Sequence, residues 1–388
     1  METEKNTLSK TFTQFFESEK SSGIMLIACT ILSLLIANSL YGPAYLTFWH
    51  SYLGGLSIEH WVNDGLMAIF FLLIGLELKR ELYVGELSNL KNALLPIIAA
   101  IGGVCLPAAI HFSFNAGTAT QDGIGIPMAT DIAFALGALA LLGSRVPPTL
   151  KIFLAALAVM DDLAAIIVIA VFYTAKLSLA YLGAALLIFA ALGILNQFFK
   201  VRKLWPYLLG GAFLWFCMLQ SGVHATIAGV LLALAIPFSS KDDDEDSPSH
   251  KLEHVLHKPV AFVILPIFAL ANTGIVIGAT WAQELTASNS LGIMSGLIIG
   301  KPIGITLLSF IAVAVGLCKL PSGLNWKHIF GAGLLGGIGF TMSIFITNLA
   351  FTGNAEEITA SKIAVLLASL CAGIMGYLWL RFLTKKDN

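Results

Sequence analysis

The chain reads as a succession of apolar runs near twenty residues long, about the length that crosses hydrocarbon as a helix, separated by short polar or glycine-rich stretches. The runs fall at about 23–39, 60–79, 94–114, 123–142, 151–174, 178–199, 205–219, 222–238, 259–279, 291–317, 328–351 and 358–381. This pattern predicts an all-α polytopic membrane protein of about twelve transmembrane helices, organised as one domain over residues 1–388. The residues before the first run are polar and mixed in charge, and the run is read as a retained span. The predicted flanks are a cytoplasmic N-terminus (1–22), an outside loop (40–59), a cytoplasmic loop (239–258) and a cytoplasmic tail (382–388). With both termini in the cytoplasm, nineteen lysines and arginines fall in cytoplasmic segments, and only Lys176 and Lys362 are left outside. That asymmetry is the positive-inside pattern, and a miscounted span would scramble it.

Two connecting segments stand out. Tyr45 to Ile58 mixes aromatic and β-branched residues around Gly54-Gly55, a two-residue hairpin signal, and also suits an interfacial aromatic loop. The run Asp242 to Asp246 reads as a solvated acidic linker. Composition agrees with a lipid solvent: 57% of residues are hydrophobic and 12% are charged. A net charge of -1 without a basic cluster argues against nucleic acid as a partner and leaves membrane lipid. Cys29, Cys105, Cys217, Cys318 and Cys371 form no C-x-x-C pair and read as small buried hydrophobes. The chain lacks a G-x-x-x-x-G-K-[ST] motif, which favours secondary over ATP-driven transport.

Four ionisable residues fall deep inside apolar runs: Asp131 in span four, Asp161 and Asp162 in span five, and Lys301 in span ten. Each costs about 2.5–3.5 kcal/mol at the bilayer centre, so it persists only if paired, neutralised or used. Lys301 alone would serve as an ion-pair lock. The set of four at one depth is a poor structural device, because buried ion pairs stabilise less than apolar packing. Asp161 and Asp162 point about 100° apart on a helix, so they should divide the work. One can face Lys301, while the other offers hard oxygen ligands to a small cation in a water-filled cavity. Neighbouring acids titrate as a coupled pair, and a site that holds protons or a cation but not both implies an exchanger. That reading predicts no enzyme activity and no cofactor beyond the transported ions. An intramembrane aspartyl protease built on Asp131 and Asp161 would lack its G-x-G-D motif and leave Lys301 unexplained. A passive cation channel would need no proton coupling, and an organic-anion carrier would favour positive or neutral centres over an Asp pair.

Span four contains Gly123-Ile124-Gly125-Ile126-Pro127-Met128-Ala129-Thr130-Asp131, and span eleven contains Gly336-Gly337-Ile338-Gly339-Phe340-Thr341-Met342-Ser343. Glycine clusters and a proline at membrane depth break the helical ladder, which is tolerated where the freed groups line a cavity or are buried in protein. Close helix packing is the other use of such glycines. By the topology above the two segments run in opposite directions, as inverted repeats with two interrupted, crossing helices require. Such paired interruptions point to a transport site, where Asp131 and Lys301 would compensate the exposed helix ends.

Ala129-Thr130-Asp131-Ile132-Ala133-Phe134-Ala135-Leu136-Gly137, Leu142-Gly143-Ser144-Arg145-Val146-Pro147, Asp161-Asp162-Leu163, Ser221-Gly222-Val223-His224-Ala225-Thr226, Leu252-Glu253-His254-Val255-Leu256-His257, Gly300-Lys301-Pro302 and Gly337-Ile338-Gly339-Phe340-Thr341-Met342-Ser343 carry a resemblance. Over nearly its whole length the chain resembles the NhaA-type bacterial Na+/H+ antiporters. Paired interrupted helices in inverted repeats are themselves a feature of that family.

The resemblance implies Na+(Li+)/H+ antiport, electrogenic and pH-regulated, in the bacterial inner membrane. It further implies that Asp162 is the principal Na+ or Li+ ligand, with Asp161 beside it as ligand or proton carrier and partner of Lys301. Thr130 and Asp131 would line or balance the helix crossing. Glu77, Arg80, Glu81 and Glu253 would form a pH-sensing cluster at the cytoplasmic mouth, with Asp64 and His224 nearer the outside. On residue type alone, Glu77 to Glu81 also fit an interfacial charge cluster, and His224 a satisfied helix-end histidine. The 45–58 hairpin would be a homodimer contact. The chain departs from the family pattern just before Glu253, where His250-Lys251 replaces a basic pair after the acidic run. Local negative charge there would shift the pH profile of activity.

Overall fold

In the computed structural model, described over residues 21–174, 177–239 and 247–383, the chain is overwhelmingly helical. Helix α1 (Ser21–Ala37) turns through 113° into α2 (Gly42–His50), which Pro43 starts. Strands β1 (Tyr52–Leu53) and β2 (Leu56–Ser57) pair antiparallel, with Tyr52 opposite Ser57 and Leu53 opposite Leu56. The hairpin signal is therefore realised. Gly54 and Gly55, at φ 61° and 93°, supply the left-handed pair that the tight turn demands. The rest of that loop is helix α2.

Next come α3 (Ile58–Tyr83), α4 (Leu90–Asn115), a 3₁₀ segment (Gln121–Met128), α5 (Ile132–Ala140), α6 (Pro148–Phe172) and α7 (Leu179–Gln197). They are followed by α8 (Trp205–Ser221), α9 (Ile227–Ala235), α10 (Pro248–Asn272), α11 (Ser288–Ala314), α12 (Trp326–Gly336), α13 (Phe340–Ala350) and α14 (Ala355–Leu383).

Among the described residues, eight helices are long and apolar enough to cross a membrane, or ten if the bent pairs α1–α2 and α12–α13 each count as one span. Spans seven and eight of the sequence reading correspond to α8 and α9, of 17 and 9 residues. The predicted run from residue 222 is shortened because Gly222, at φ 84°, ends α8, and α9 starts only at Ile227. The predicted loop 239–258 is also corrected. The Ser247 hydroxyl accepts from the His250 N–H and Pro248 occupies the first turn, so α10 already begins there. The Asp242 to Asp246 run lies outside the described residues.

The chain divides into two compact units. Unit 1 comprises the described parts of Met1–Leu34, Lys91–Asp162 and Ile275–Asn388; unit 2 comprises Leu35–Leu90 and Leu163–Gly274. In unit 2, Leu72 and Leu76 of α3 pack with Leu192, Tyr207, Leu232 and Leu252 in an apolar core. In unit 1, α4 and α11 touch backbone to backbone, since a Cβ on Gly102 or on Gly304 would strike the other glycine's carbonyl. This contact lies one turn beyond Lys301. Gly304→Val is expected to cost about 1–3 kcal/mol by overpacking, read as a lower unfolding temperature in detergent.

Candidate ion-binding site

The two interruptions meet inside unit 1. After the 3₁₀ segment, residues 129–131 are extended before α5 begins, and residues 337–339 leave the helix between α12 and α13. Pro127 and the neighbouring glycines explain the first break, and the Gly336-Gly337-Ile338-Gly339 run the second. The break residues then bond to each other. The Asp131 N–H donates to the Ile338 carbonyl at 2.7 Å, and the Ser343 hydroxyl to the Ile126 carbonyl at 2.7 Å.

Asp131 caps two helices. Its Oδ1 accepts from the Phe134 N–H at 3.1 Å, at the start of α5. Its Oδ2 accepts from the Thr341 N–H at 3.1 Å and from the Thr341 hydroxyl, at the start of α13. One carboxylate thus stands at two positive helix ends.

Lys301 occupies the opposite kind of position, beside freed carbonyls. Its Nζ donates to the Met128 carbonyl, to Thr130 Oγ1 at 2.6 Å and to Asp161 Oδ2 at 2.8 Å, which uses all three of its protons. Thr130 Oγ1 lies 2.5 Å from Asp161 Oδ2 and 2.8 Å from the Gly336 carbonyl. Having one proton, it donates to only one of them at a time. Among the described residues, the other Asp161 oxygen, Oδ1, is buried with no hydrogen-bond partner. Asp162 follows on α6, and its charge acts on Lys301 through space. Asp131, Asp161, Asp162 and Lys301 are each at most 2% exposed.

Of the five residues predicted for ion or proton binding, Lys301, Thr130 and Asp161 bond to one another, Asp162 is the next residue to Asp161 on α6, and Asp131, next to Thr130, is bonded into the helix crossing; all five are in unit 1. Among the described residues, no group of three or more His, Cys, Asp and Glu side chains is arranged to hold a metal ion. Asp161, Asp162 and Thr130 present two carboxylates and a hydroxyl, hard oxygens of the kind a small alkali cation prefers.

The residues predicted to sense pH divide into two groups, both in unit 2. Arg80 Nε pairs with Glu253 Oε1 at 2.8 Å and its Nη2 with Glu81 Oε1 at 3.2 Å, while the charge of Glu77 acts on Arg80 through space. Asp64 lies thirteen residues earlier on α3, about 20 Å along the axis. Its Oδ1 is 3.4 Å from His224 Nδ1, and its backbone carbonyl accepts from Trp215 Nε1 at 2.9 Å.

Other partners were not foreseen. His60 Nε2 lies 2.8 Å from Asp64 Oδ2, an i,i+4 pair on α3 whose spacing was visible in the sequence. Lys79, counted above with the cytoplasmic flank, is buried and donates to the carbonyls of Ala233, Leu234 and Ile236 at 3.3, 2.9 and 2.5 Å, closing the C-terminal end of α9. Lys362, counted above as outside, is buried within α14. In the sequence Lys79 is masked by its charged neighbours Arg80 and Glu81, and Lys362 by its place near the start of an apolar run. Thr341 was visible only as part of the glycine-rich motif.

A helical, multi-pass membrane protein with a sealed lysine–carboxylate cluster where two broken helices meet has the architecture of a secondary ion transporter. A family model described as Na+/H+ antiporter 1 matches residues 13–380. The chain belongs to that Na+/H+ antiporter family. It is 71% identical over 381 residues to a Na(+)/H(+) antiporter NhaA of Dechloromonas aromatica, covering 98% of each chain. It is 59% identical over 382 residues to Na(+)/H(+) antiporter NhaA 1 of Flavobacterium johnsoniae, covering 98% of this chain and 99% of the relative. Its fold is similar to that of the sodium proton antiporter MjNhaP1 from Methanocaldococcus jannaschii, with a TM-score of 0.51, 15% identity, and 95% and 98% of the two chains covered.

Proposed function

We propose that this chain exchanges Na+ or Li+ for H+ by alternating access, with cation and protons competing at Asp161 and Asp162. The observation that carries the reading is the bonding of Lys301 to Asp161 and Thr130 at the paired helix breaks, in a member of an antiporter family. In the proposed cycle the site faces the cytoplasm, loses protons and takes a cation on Asp162 and Asp161. It then reorients, releases the cation outside and reloads protons. Lys301 balances charge when the acids are ionised, and Asp131 holds the helix starts in register throughout. Exchange of two protons for one monovalent ion moves net charge, so the membrane potential drives it.

The same reading has twelve spans in two inverted repeats, both termini cytoplasmic, in the bacterial inner membrane, with a homodimer contact through the 45–58 hairpin. Regulation by pH is assigned to Glu77, Arg80, Glu81 and Glu253 at the inner mouth, and to Asp64 and His224 toward the outside.

The test is Na+-dependent proton flux in proteoliposomes from pH 6 to 9. An exchanger moves protons when Na+ is added, whereas a passive channel or a protease does not. Asp64→Asn, remote from the ion cluster along the sequence and on unit 2, is expected to keep substantial flux in the same assay, within about tenfold of wild type.

A further inference from the structure

Unit 1 holds a second buried polar cluster. Asn289, in the first turn of α11, lies twelve residues before Lys301, about 18 Å along the helix axis. Its Nδ2 donates to Ser361 Oγ at 2.8 Å and to Glu357 Oε2 at 3.2 Å, both on α14. Those bonds fix its Oδ1 as the atom that faces His111 of α4. Hence His111 donates from Nε2, at 3.1 Å.

The imidazole is wedged between two glycines. A Cβ at Gly123, in the first interrupted segment, would come within 3.1 Å of the ring, and one at Gly292 of α11 within 3.0 Å. Asn115 extends the network: its Nδ2 donates to the carbonyls of His111 at 2.9 Å and Ser288 at 3.2 Å, and its Oδ1 accepts from the Thr120 hydroxyl at 2.8 Å. His111, Asn115, Asn289 and Ser361 are at most 2% exposed.

Among the described residues, none of the hydrogen bonds of His111, Asn115, Asn289 and Ser361 goes to Thr130, Asp131, Asp161, Asp162 or Lys301. Buried polar groups cost free energy unless each meets a partner, so a set of them paired across separate segments is a directional contact whose closed form is weakened when one partner is removed. What they share is position: the His111 ring lies against Gly123 in the leading half of an interrupted helix and bonds to Asn289 on the helix that carries Lys301, while Asn115 accepts from the Thr120 hydroxyl just before that segment. Hydrogen bonds between neutral groups contribute little net free energy, so they can break and re-form in each cycle while still biasing populations. We propose that His111 and Asn289 are positioning residues, a latch that holds Gln121–Met128 against α11 and favours the conformation closed at this end. The inference rests on the transport reading above, which assigns this end to the outside.

The latch is tested by measuring the apparent KM for Na+ at each face, in right-side-out and everted proteoliposomes, for Asn289→Leu, His111→Leu and His111→Gln. A carrier freed of the latch spends more time open to the outside. The outer-face KM of the leucine variants should then fall roughly fivefold to tenfold, the loss of one or two modest hydrogen bonds, while the inner-face KM holds or rises. His111→Gln keeps an N–H donor and should restore both values. Lower maximal flux with both KM values unchanged would mean a merely structural role and would overturn the proposal.

A second measurement needs no transport. Ser290→Cys, buried beside Asn289, is placed in a chain lacking the five native cysteines and treated with a membrane-impermeant maleimide. Labelling should be roughly fivefold to tenfold faster with Asn289→Leu added, and equal rates overturn the latch. If the wild type moves no protons at all, the transport reading fails, and the labelling rates still decide the latch.

Discussion

Asp162→Asn is expected to abolish Na+-driven proton movement in everted vesicles while leaving the protein folded. The amide nearly matches the carboxylate in size, and the position is 1% exposed, so packing is preserved and only charge and proton affinity change. Asparagine can neither carry a proton at physiological pH nor offer an anionic oxygen to Na+. Loss of one buried charged ligand costs about 3 kcal/mol, roughly a hundredfold in occupancy at a given Na+ concentration. Flux should fall to background, with detergent-extracted protein still monodisperse and unchanged in melting temperature. A variant that keeps more than about a tenth of wild-type flux would remove Asp162 from the transport site.

Lys301→Ala should lose both transport and stability, for a different reason. Its ammonium satisfies the Met128 carbonyl, Thr130 and Asp161 at once, and truncation leaves Asp161 as a buried charge without its counter-ion. Breaking one side of such a pair costs about 3–5 kcal/mol. The melting temperature in detergent should drop by roughly 5 °C or more. Because the penalty lies in the stranded carboxylate, adding Asp161→Asn to Lys301→Ala should recover part of the melting temperature but no transport. A double variant no more stable than the single one would mean that the stranded charge is not the source of the loss.

These outcomes turn on residues that stood out in the sequence because lipid makes their cost plain. Asp131, Asp161, Asp162 and Lys301 interrupt apolar runs, and the helix breaks are written in glycine, with a proline in the first. The hairpin was legible for a conformational reason, since Gly54-Gly55 suits a tight turn that needs two left-handed residues. Lys79 was not legible. Next to Arg80 and Glu81 it looks like one more interfacial charge, and only folding brings the carbonyls at the end of α9 to it. His111 and Asn289 were equally hidden, because a single polar residue near the end of an apolar run is ordinary until its partners from distant segments are known. The lengths of α8 and α9 depended on where a left-handed glycine ended one helix, which hydropathy does not record.

Asp131 has a mechanical consequence. Because the same carboxylate fastens the first turns of α5 and α13, pulling either away would strand an anion in the hydrocarbon interior. The two half-helices should therefore travel as a single lever, and whatever swings during turnover must pivot around that shared fastening rather than through it.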